Sequence, residues 1–350
     1  MKKSKRVNEV VLIRIFAILS VVIGHSIIVY TDEWIWYNMQ IQSNFLDNLK
    51  AVINIYQMPL FISLSGYLFY YLKIECGKYT NLVPFLQSKF KRLLLPFIVV
   101  GTFFMIPLRL LGDYPAYEGN SFLNIFFFDL IIGRDAGNLW FLPVLFIIFI
   151  AFFFYATYLF KKNNVSTFFH FIVFFIISLV SYKTPSTFFV NEAMYYAIFF
   201  FFGFQLFRFR EQLLEHQLFI LITSGILQFS NLAFLSISIP DNIIFTAISV
   251  CVGIVASLFS CLFFYTLFLI INEANQKLAT SKTVSFIDKN SFGLYLFHSS
   301  LLYPILNFAT QLTINPILFS VLMFITISFI SLLITVILSH LKHLKFIIGK

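Results

Sequence analysis

The chain has 350 residues, 60% of them hydrophobic and 11% charged, and 50 are Phe. A soluble domain of that length has too little interior to hide so much apolar surface, so the composition excludes a water-soluble enzyme and leaves an integral membrane protein built of several helices. The net charge of +9 does not point to nucleic acid, because the basic residues sit in short clusters between apolar runs, as topology signals do.

Lys2, Lys3, Lys5 and Arg6 precede the first apolar run and are expected to hold the N-terminus in the cytoplasm. The run from Val10 to Val29 is long enough to cross a bilayer as a helix. Helix is the expected form because its backbone hydrogen bonds are satisfied internally in lipid. It starts like a signal peptide, but no small-residue cleavage site follows and Arg14 interrupts it, so a permanent span is expected. The loop Thr31–Lys50, with Asp32, Glu33, Trp34, Trp36 and Asp47, is expected outside. Span 2 covers about Ala51 to Leu72, and Lys73, Lys78, Lys89, Lys91 and Arg92 mark the next loop as internal. Span 3 runs from about Leu93 to Leu111 and leads to an outer loop holding Asp113 and Glu118.

The apolar stretch Phe122–Gly133 is too short to cross and is expected to be interfacial or re-entrant. Span 4 opens at Asn138, Leu139 and Trp140 and ends at Lys161 and Lys162. Spans 5 to 8 cover about Val165–Tyr182, Glu192–Phe207, Gln217–Leu235 and Ile243–Ile271, with Arg208 and Arg210 closing the second of these. The polar stretch Asn272–Lys289 is expected in the cytoplasm. Span 9, about Asn290 to Ala309, contains His298, and span 10 covers about Pro316 to Leu338. The tail, with Lys342, Lys345 and Lys350, ends inside.

The fold class expected is therefore all-α: a polytopic membrane bundle of about ten transmembrane helices, a single domain over residues 1–350 with both termini cytoplasmic. In that arrangement 19 of the 24 Lys and Arg fall on the inner side, which supports the orientation. If Phe122–Gly133 crossed the membrane, every later loop would change sides and the bias would collapse. No internal repeat, soluble domain or linker is visible. Cys76, Cys251 and Cys261 have no metal or disulfide spacing, and no metal site is expected.

Several polar residues fall at membrane depth, where charge is costly and faces a bundle interior or a wet cavity. Arg14 and His25 are about three helical turns apart, so they share one face of span 1 with ~16 Å between them. Two readings of each stand: Arg14 faces a site or snorkels to the inner surface, and His25 is functional or a satisfied core histidine. Glu192 is either a functional carboxylate or one that favours its helix N-terminus. His298 carries the same two readings as His25. Ser63, Ser65 and Gly66 either line a site or let helices pack closely. Trp140 is an interfacial anchor or a platform for a substrate.

These residues resemble a known family. The Arg14-x10-His25 pair, Met58–Phe69 (MPLFISLSGYLF), Lys91–Phe97 (KRLLLPF), Asn138–Leu142 (NLWFL) and Ser291–His298 (SFGLYLFH) are similar, in order and spacing, to motifs of the acyltransferase family 3 membrane proteins. Asn138 stands where that family usually has His. The resemblance implies transfer of an acyl group, acetyl or succinyl, from cytoplasmic acyl-CoA to a hydroxyl of an extracytoplasmic polysaccharide or its lipid-linked precursor, in the bacterial cell membrane. Acyl-CoA is then a substrate, no cofactor is held, and the other partners are the glycan and membrane lipids. Many members carry an extra hydrolase-like domain; this chain resembles the stand-alone form. Phe346–Lys350 (FIIGK) is similar to a subgroup linked with export of biofilm glucosamine polymers, so a glycan exporter or flippase without acyl chemistry is the alternative.

The expected division of labour follows from depth. His25 lies ~22 Å from the inner surface of an outward-running span, within reach of an external acceptor. Its ordinary pKa of ~6.5 suits it as general base for the attacking hydroxyl. Arg14, too distant to act on the same atoms, is expected to position the donor, while Lys89, Lys91 and Arg92 bind its phosphates. His298, Glu192, Trp140 and Ser65 are secondary candidates for orienting His25 or holding substrate.

Overall fold

The structure, a computed structural model, describes residues 8–32, 36–37, 41–160, 166–182, 184–185, 187–235, 243–310 and 313–349. The topology residues Lys2, Lys3, Lys5, Arg6, Glu33, Trp34, Lys161, Lys162, Lys183 and Lys350 lie outside the described residues. Among the described residues there is no strand. Six helical stretches are long and apolar enough to cross a membrane: Asn8–Tyr30, Asn44–Glu75, Leu82–Leu111, Gly137–Leu159, Phe245–Ala274 and Pro316–His340. With the shorter helices between them they form a membrane bundle.

In chain order the helices are α1 (Asn8–Ile27), α2 (Asn44–Tyr70), α3 (Leu82–Leu111), α4 (Phe122–Ile131), α5 (Phe141–Phe154), α6 (Thr167–Ser181), α7 (Val190–Arg208), α8 (Gln217–Leu235), α9 (Ile243–Ala274), α10 (Lys282–Phe297), α11 (Leu302–Ala309) and α12 (Pro316–His340). α1 is central and packs against α2, α9, α10 and α12. It runs antiparallel to α2: Gly24 faces Ile53, Tyr56 donates to Ser20 at 3.2 Å, and Tyr67 donates to Glu9 at 3.3 Å. α2 also packs against α7 with the backbones nearly touching. A Cβ at Gly66 or Gly203 would collide with the carbonyl of Phe200 or Ser63, so small residues set this close approach. Ser63 adds a hydrogen bond to Phe199 O at 3.0 Å. On the outside, Phe168 and Phe169 of α6, Phe219 and Ile222 of α8, and Val321 and Phe329 of α12 are exposed, an apolar belt suited to lipid.

Three expected boundaries are corrected. Span 2 begins at Asn44, capped by Ser43 accepting from Leu46 N, so Lys50 is helical and buried rather than in a loop. Span 3 begins at Leu82, because Pro84 falls in the first turn, where a missing N–H costs nothing, and no breaker follows until Pro96. Lys89, Lys91 and Arg92 are therefore on the helix. Span 9 is not continuous. α10 starts early, at Lys282, with Ser281 capping it by accepting from Val284 N, and it stops at Phe297. The Tyr295 carbonyl accepts from Asn138 Nδ2 at 2.8 Å and from His298 Nδ1 at 2.8 Å. Two side-chain donors thus occupy the acceptor that the next helical N–H, that of Ser299, would need, and the chain turns before resuming as α11. The stretch Phe122–Gly133, expected to be interfacial or re-entrant, contains the short helix α4.

Candidate active site

The site is built between α1 and α10, which run parallel and touch at two levels. At one level Arg14 Nη1 pairs with Asp288 Oδ1 at 2.9 Å. At the other, His25 Nδ1 lies 3.3 Å from His298 Nε2. The spacings, eleven residues on α1 and ten on α10, are about three helical turns each, so both contacts fall on the facing sides.

The hydrogen bonds fix the histidine tautomers. His298 Nδ1 faces the carbonyls of Leu294 (3.0 Å) and Tyr295 (2.8 Å), which can only accept, so it carries the proton. His298 Nε2 is then a lone-pair nitrogen. His25 Nδ1 faces the Val21 carbonyl at 2.9 Å, so it too is protonated, and its N–H is shared between that carbonyl and His298 Nε2. The remaining nitrogen, His25 Nε2, keeps its lone pair. The ring is partly exposed and lines a cavity.

Two cavities meet here. One, at the Arg14 end and called inner after the orientation expected from the charges, has a volume of about 290 Å³ and is lined by Arg14, Ser65, Lys89, Arg92, Asp288 and Lys289, with the turn at Ile348 and Gly349 at its edge. Lys89 Nζ sits 3.4 Å from the centroid of the Phe149 ring, a cation held over an aromatic face. The other, called outer on the same expectation, has a volume of about 250 Å³ and is lined by His25, Lys50, Gln57, Asn138, Trp140 and Tyr196. Trp140 and Tyr196 stack at 5.3 Å between centroids. Gln57 Oε1 and Asn138 Oδ1 are buried and accept no hydrogen bond among the described residues.

Tyr295 lines both cavities. Its hydroxyl donates to the Asn138 carbonyl while Asn138 Nδ2 donates to the Tyr295 carbonyl at 2.8 Å, so the two residues clasp each other. Asn138 thus holds α10 to the short turn Gly137–Trp140 that leads into α5.

Of the residues expected from sequence, Arg14, Lys89, Arg92 and Ser65 line the inner cavity, and His25 and Trp140 the outer. His298 is fully buried behind His25. Lys91 is exposed and lines neither cavity. Glu192 also lines neither; it sits one turn before Tyr196 on α7. Sequence reading missed Asp288, Lys50, Gln57, Tyr196 and Tyr295. One signal was present: Asp288 stands ten residues before His298, echoing the Arg14–His25 spacing.

A second polar cluster braces the end of the bundle where α3 finishes. Arg109, 1% exposed, pairs with Asp135 Oδ1 at 3.0 Å and donates to Tyr117 at 3.0 Å and Tyr303 at 2.8 Å. Burial, with Asp135 beside it, holds the Tyr114 hydroxyl well above its ordinary range, so it stays protonated and donates to Asp135 Oδ2 at 2.8 Å. The cluster ties α3, the loop that follows it and α11 together just before Asn138.

A family model described as an acyltransferase domain matches residues 7–340, nearly the whole chain. No curated protein and no solved structure matches it.

Proposed function

Since the chain belongs to the acyltransferase family whose domain covers residues 7–340, we propose that it is a cell-membrane O-acyltransferase that takes an acyl group from cytoplasmic acyl-CoA and esterifies a hydroxyl of an extracytoplasmic polysaccharide or its lipid-linked precursor. The observation that carries this reading is the pair of cavities meeting at Tyr295, one lined by cations and the other by a histidine with an open lone pair. Ten spans with both termini in the cytoplasm would put the inner cavity on the donor's side.

In this reading Lys89 and Arg92 hold CoA phosphates, Arg as a fork and Lys as a point charge. Arg14, fixed by Asp288, holds the arm, and the thioester extends past Tyr295 to His25. The acceptor sugar lies against Trp140 and Tyr196, where its hydroxyls can donate to Gln57 Oε1 and Asn138 Oδ1. His25 Nε2 takes the proton of the attacking hydroxyl as the C–O bond forms. The C–S bond then breaks, and the same proton passes to the departing sulfur to give free CoA. His298 Nε2 accepts from His25 Nδ1–H throughout, which fixes the ring and favours its transient positive charge.

The test uses purified protein in proteoliposomes with labelled acyl-CoA and an oligosaccharide acceptor, alongside glycan from a deletion strain analysed by mass and NMR before and after mild base. A base-labile ester that needs the protein supports the reading. Polymer retained inside the deletion strain, with no ester on wild-type glycan, would instead mark an exporter. Cysteine accessibility in intact cells tests orientation: labelling from outside at position 78 would overturn it.

A further inference from the structure

The outer cavity places a buried ammonium beside the candidate base. Lys50 is 4% exposed and lines the same cavity as His25. α1 and α2 are antiparallel, with Tyr67 level with Glu9 and Tyr56 with Ser20, and that register puts Lys50 at the level of His25. Its ammonium reaches Gly24, the residue before His25: a Cβ there would lie 3.4 Å from Lys50 Nζ and 3.3 Å from Gln57 Oε1. Lys50, Asn54 and Gln57 recur at helical spacing on α2 and all line the cavity, and no carboxylate stands among its described lining residues. A buried charge at membrane depth is costly and marks chemistry or a pathway.

The cation and the base conflict until a negative charge forms between them. When His25 takes a proton, two positive charges stand side by side, which is unfavourable in a low dielectric. Attack of a hydroxyl on a thioester supplies the missing negative charge, on the carbonyl oxygen, at the moment the base gains its proton. A thioester that reaches His25 from the Arg14 side brings that oxygen to the level of Lys50. The amide oxygens left without a partner, Gln57 Oε1 and Asn138 Oδ1, are acceptors and suit a hydroxyl, not an oxyanion. An ammonium has three N–H donors, so a bond within the protein still leaves donors for a ligand.

We propose, resting on the acyl-transfer reading above, that Lys50 is a catalytic residue whose ammonium donates to the thioester carbonyl oxygen as that oxygen becomes an oxyanion. The sugar oxygen bonds to the carbonyl carbon, the C=O π pair moves on to the oxygen beside Lys50, and the hydroxyl proton goes to His25 Nε2. The pair then returns to re-form C=O, the C–S bond breaks, and the departing sulfur takes the proton from His25. Lys50 keeps its own protons throughout.

Protein in proteoliposomes is given whichever of acetyl-CoA and succinyl-CoA it uses faster, with a neutral oligosaccharide. In Lys50→Gln the single-turnover rate is expected to fall by about 10²–10³, the usual worth of one oxyanion donor, with KM for either substrate nearly unchanged. Lys50→Arg, which keeps the charge, should retain much of the rate. Two CoA ketones give a readout that loosened packing would not move. A trifluoromethyl ketone in place of the thioester adds a nucleophile and carries an oxyanion, whereas the methyl ketone stays trigonal. Lys50→Gln should weaken binding of the first in step with the rate and leave the second unchanged. A wild-type rate in Lys50→Gln, or equal weakening of both ketones, overturns the proposal while acyl transfer itself stands. A loss carried by KM, for the donor or for a uronate-containing acceptor, also overturns it, because Lys50 would then hold a carboxylate or phosphate of a substrate. Transfer of neither acyl group by wild type defeats both readings. Should Lys50→Gln fail to accumulate, Gly24→Ala, whose methyl crowds the ammonium, is expected to narrow the gap in affinity between the two ketones, and an unchanged gap overturns the proposal.

Discussion

The imidazoles of His25 and His298 meet edge to face, with nitrogens 3.3 Å apart and ring centroids 4.9 Å apart. Each ring is also tied through Nδ1 to carbonyls of its own helix, so the pair shares one orientation in which only His25 Nε2 is open. His25→Ala is expected to lower kcat for acyl transfer by about 10²–10⁴, the usual worth of a positioned base. His298→Ala should cost about tenfold, because the base remains but loses its orienting acceptor. In the double variant the losses should not add, since His298 acts through His25. Single-turnover transfer in proteoliposomes measures this; additive losses would mean that the histidines work separately.

Arg14 and Asp288 make the other contact between α1 and α10, with side chains 33% and 15% exposed. A pair this open to solvent adds at most about 1 kcal/mol to stability. Its value in the proposed reaction lies in aiming the guanidinium at the inner cavity. Asp288→Asn should therefore leave the melting temperature nearly unchanged and raise the KM for acyl-CoA several-fold with little change in kcat. Arg14→Lys, which removes the planar fork, should act in the same direction. A fall in kcat at unchanged KM would place the pair in the chemical step instead.

How much of this was legible in the sequence depended on what fixes each feature. The bounds of α8, Gln217–Leu235, and the start of α12 at Pro316 match the sequence reading, because apolar runs and helix-starting residues are local signals. The facing of Arg14 and His25 also followed from helical period alone. The break after Phe297 did not, because it depends on Asn138, 157 residues away, bonding the Tyr295 carbonyl. Lys50 and Asp288 were read as loop charges. Only the packing of α1 against α2 and α10 turns those two charges inward, and packing partners are not written in a single apolar run.

Arg109, expected at the outer edge, is a buried bracing residue. It is 1% exposed and joins Asp135, Tyr117 and Tyr303 across three segments. Arg109→Ala would leave two buried hydroxyls without their charged donor and Asp135 with only Tyr114 and the Gly137 N–H, a loss on the scale of about 2–3 kcal/mol. Asp135→Asn should cost less, because Asp135 is 29% exposed and water can replace part of the bond. Thermal unfolding of the detergent-solubilised protein, followed by size exclusion, measures both. Equal melting temperatures for wild type and Arg109→Ala would show that the cluster does not brace this end of the bundle.

Tyr295 lines both cavities, and its removal tests whether it acts as a wall between them. Its hydroxyl bond to the Asn138 carbonyl holds the ring in place. An acyl thioester that reaches His25 is open to attack by water as well as by a sugar. A closed wall limits the water that can follow the donor, whereas an open one lets the base activate water. Tyr295→Phe keeps the ring and loses the bond, so transfer should persist with a modest rise in acyl-CoA hydrolysis. Tyr295→Leu removes the aromatic bulk at a smaller packing cost than alanine would, since truncating a buried aromatic to alanine costs about 3–5 kcal/mol. In that variant hydrolysis without acceptor should rise several-fold over wild type while transfer falls. Because the two products share one donor, their ratio is independent of how much protein reaches the membrane. A Tyr295→Leu protein with the wild-type ratio of hydrolysis to transfer would mean that water is excluded elsewhere and that Tyr295 serves only to pin α10 to Asn138.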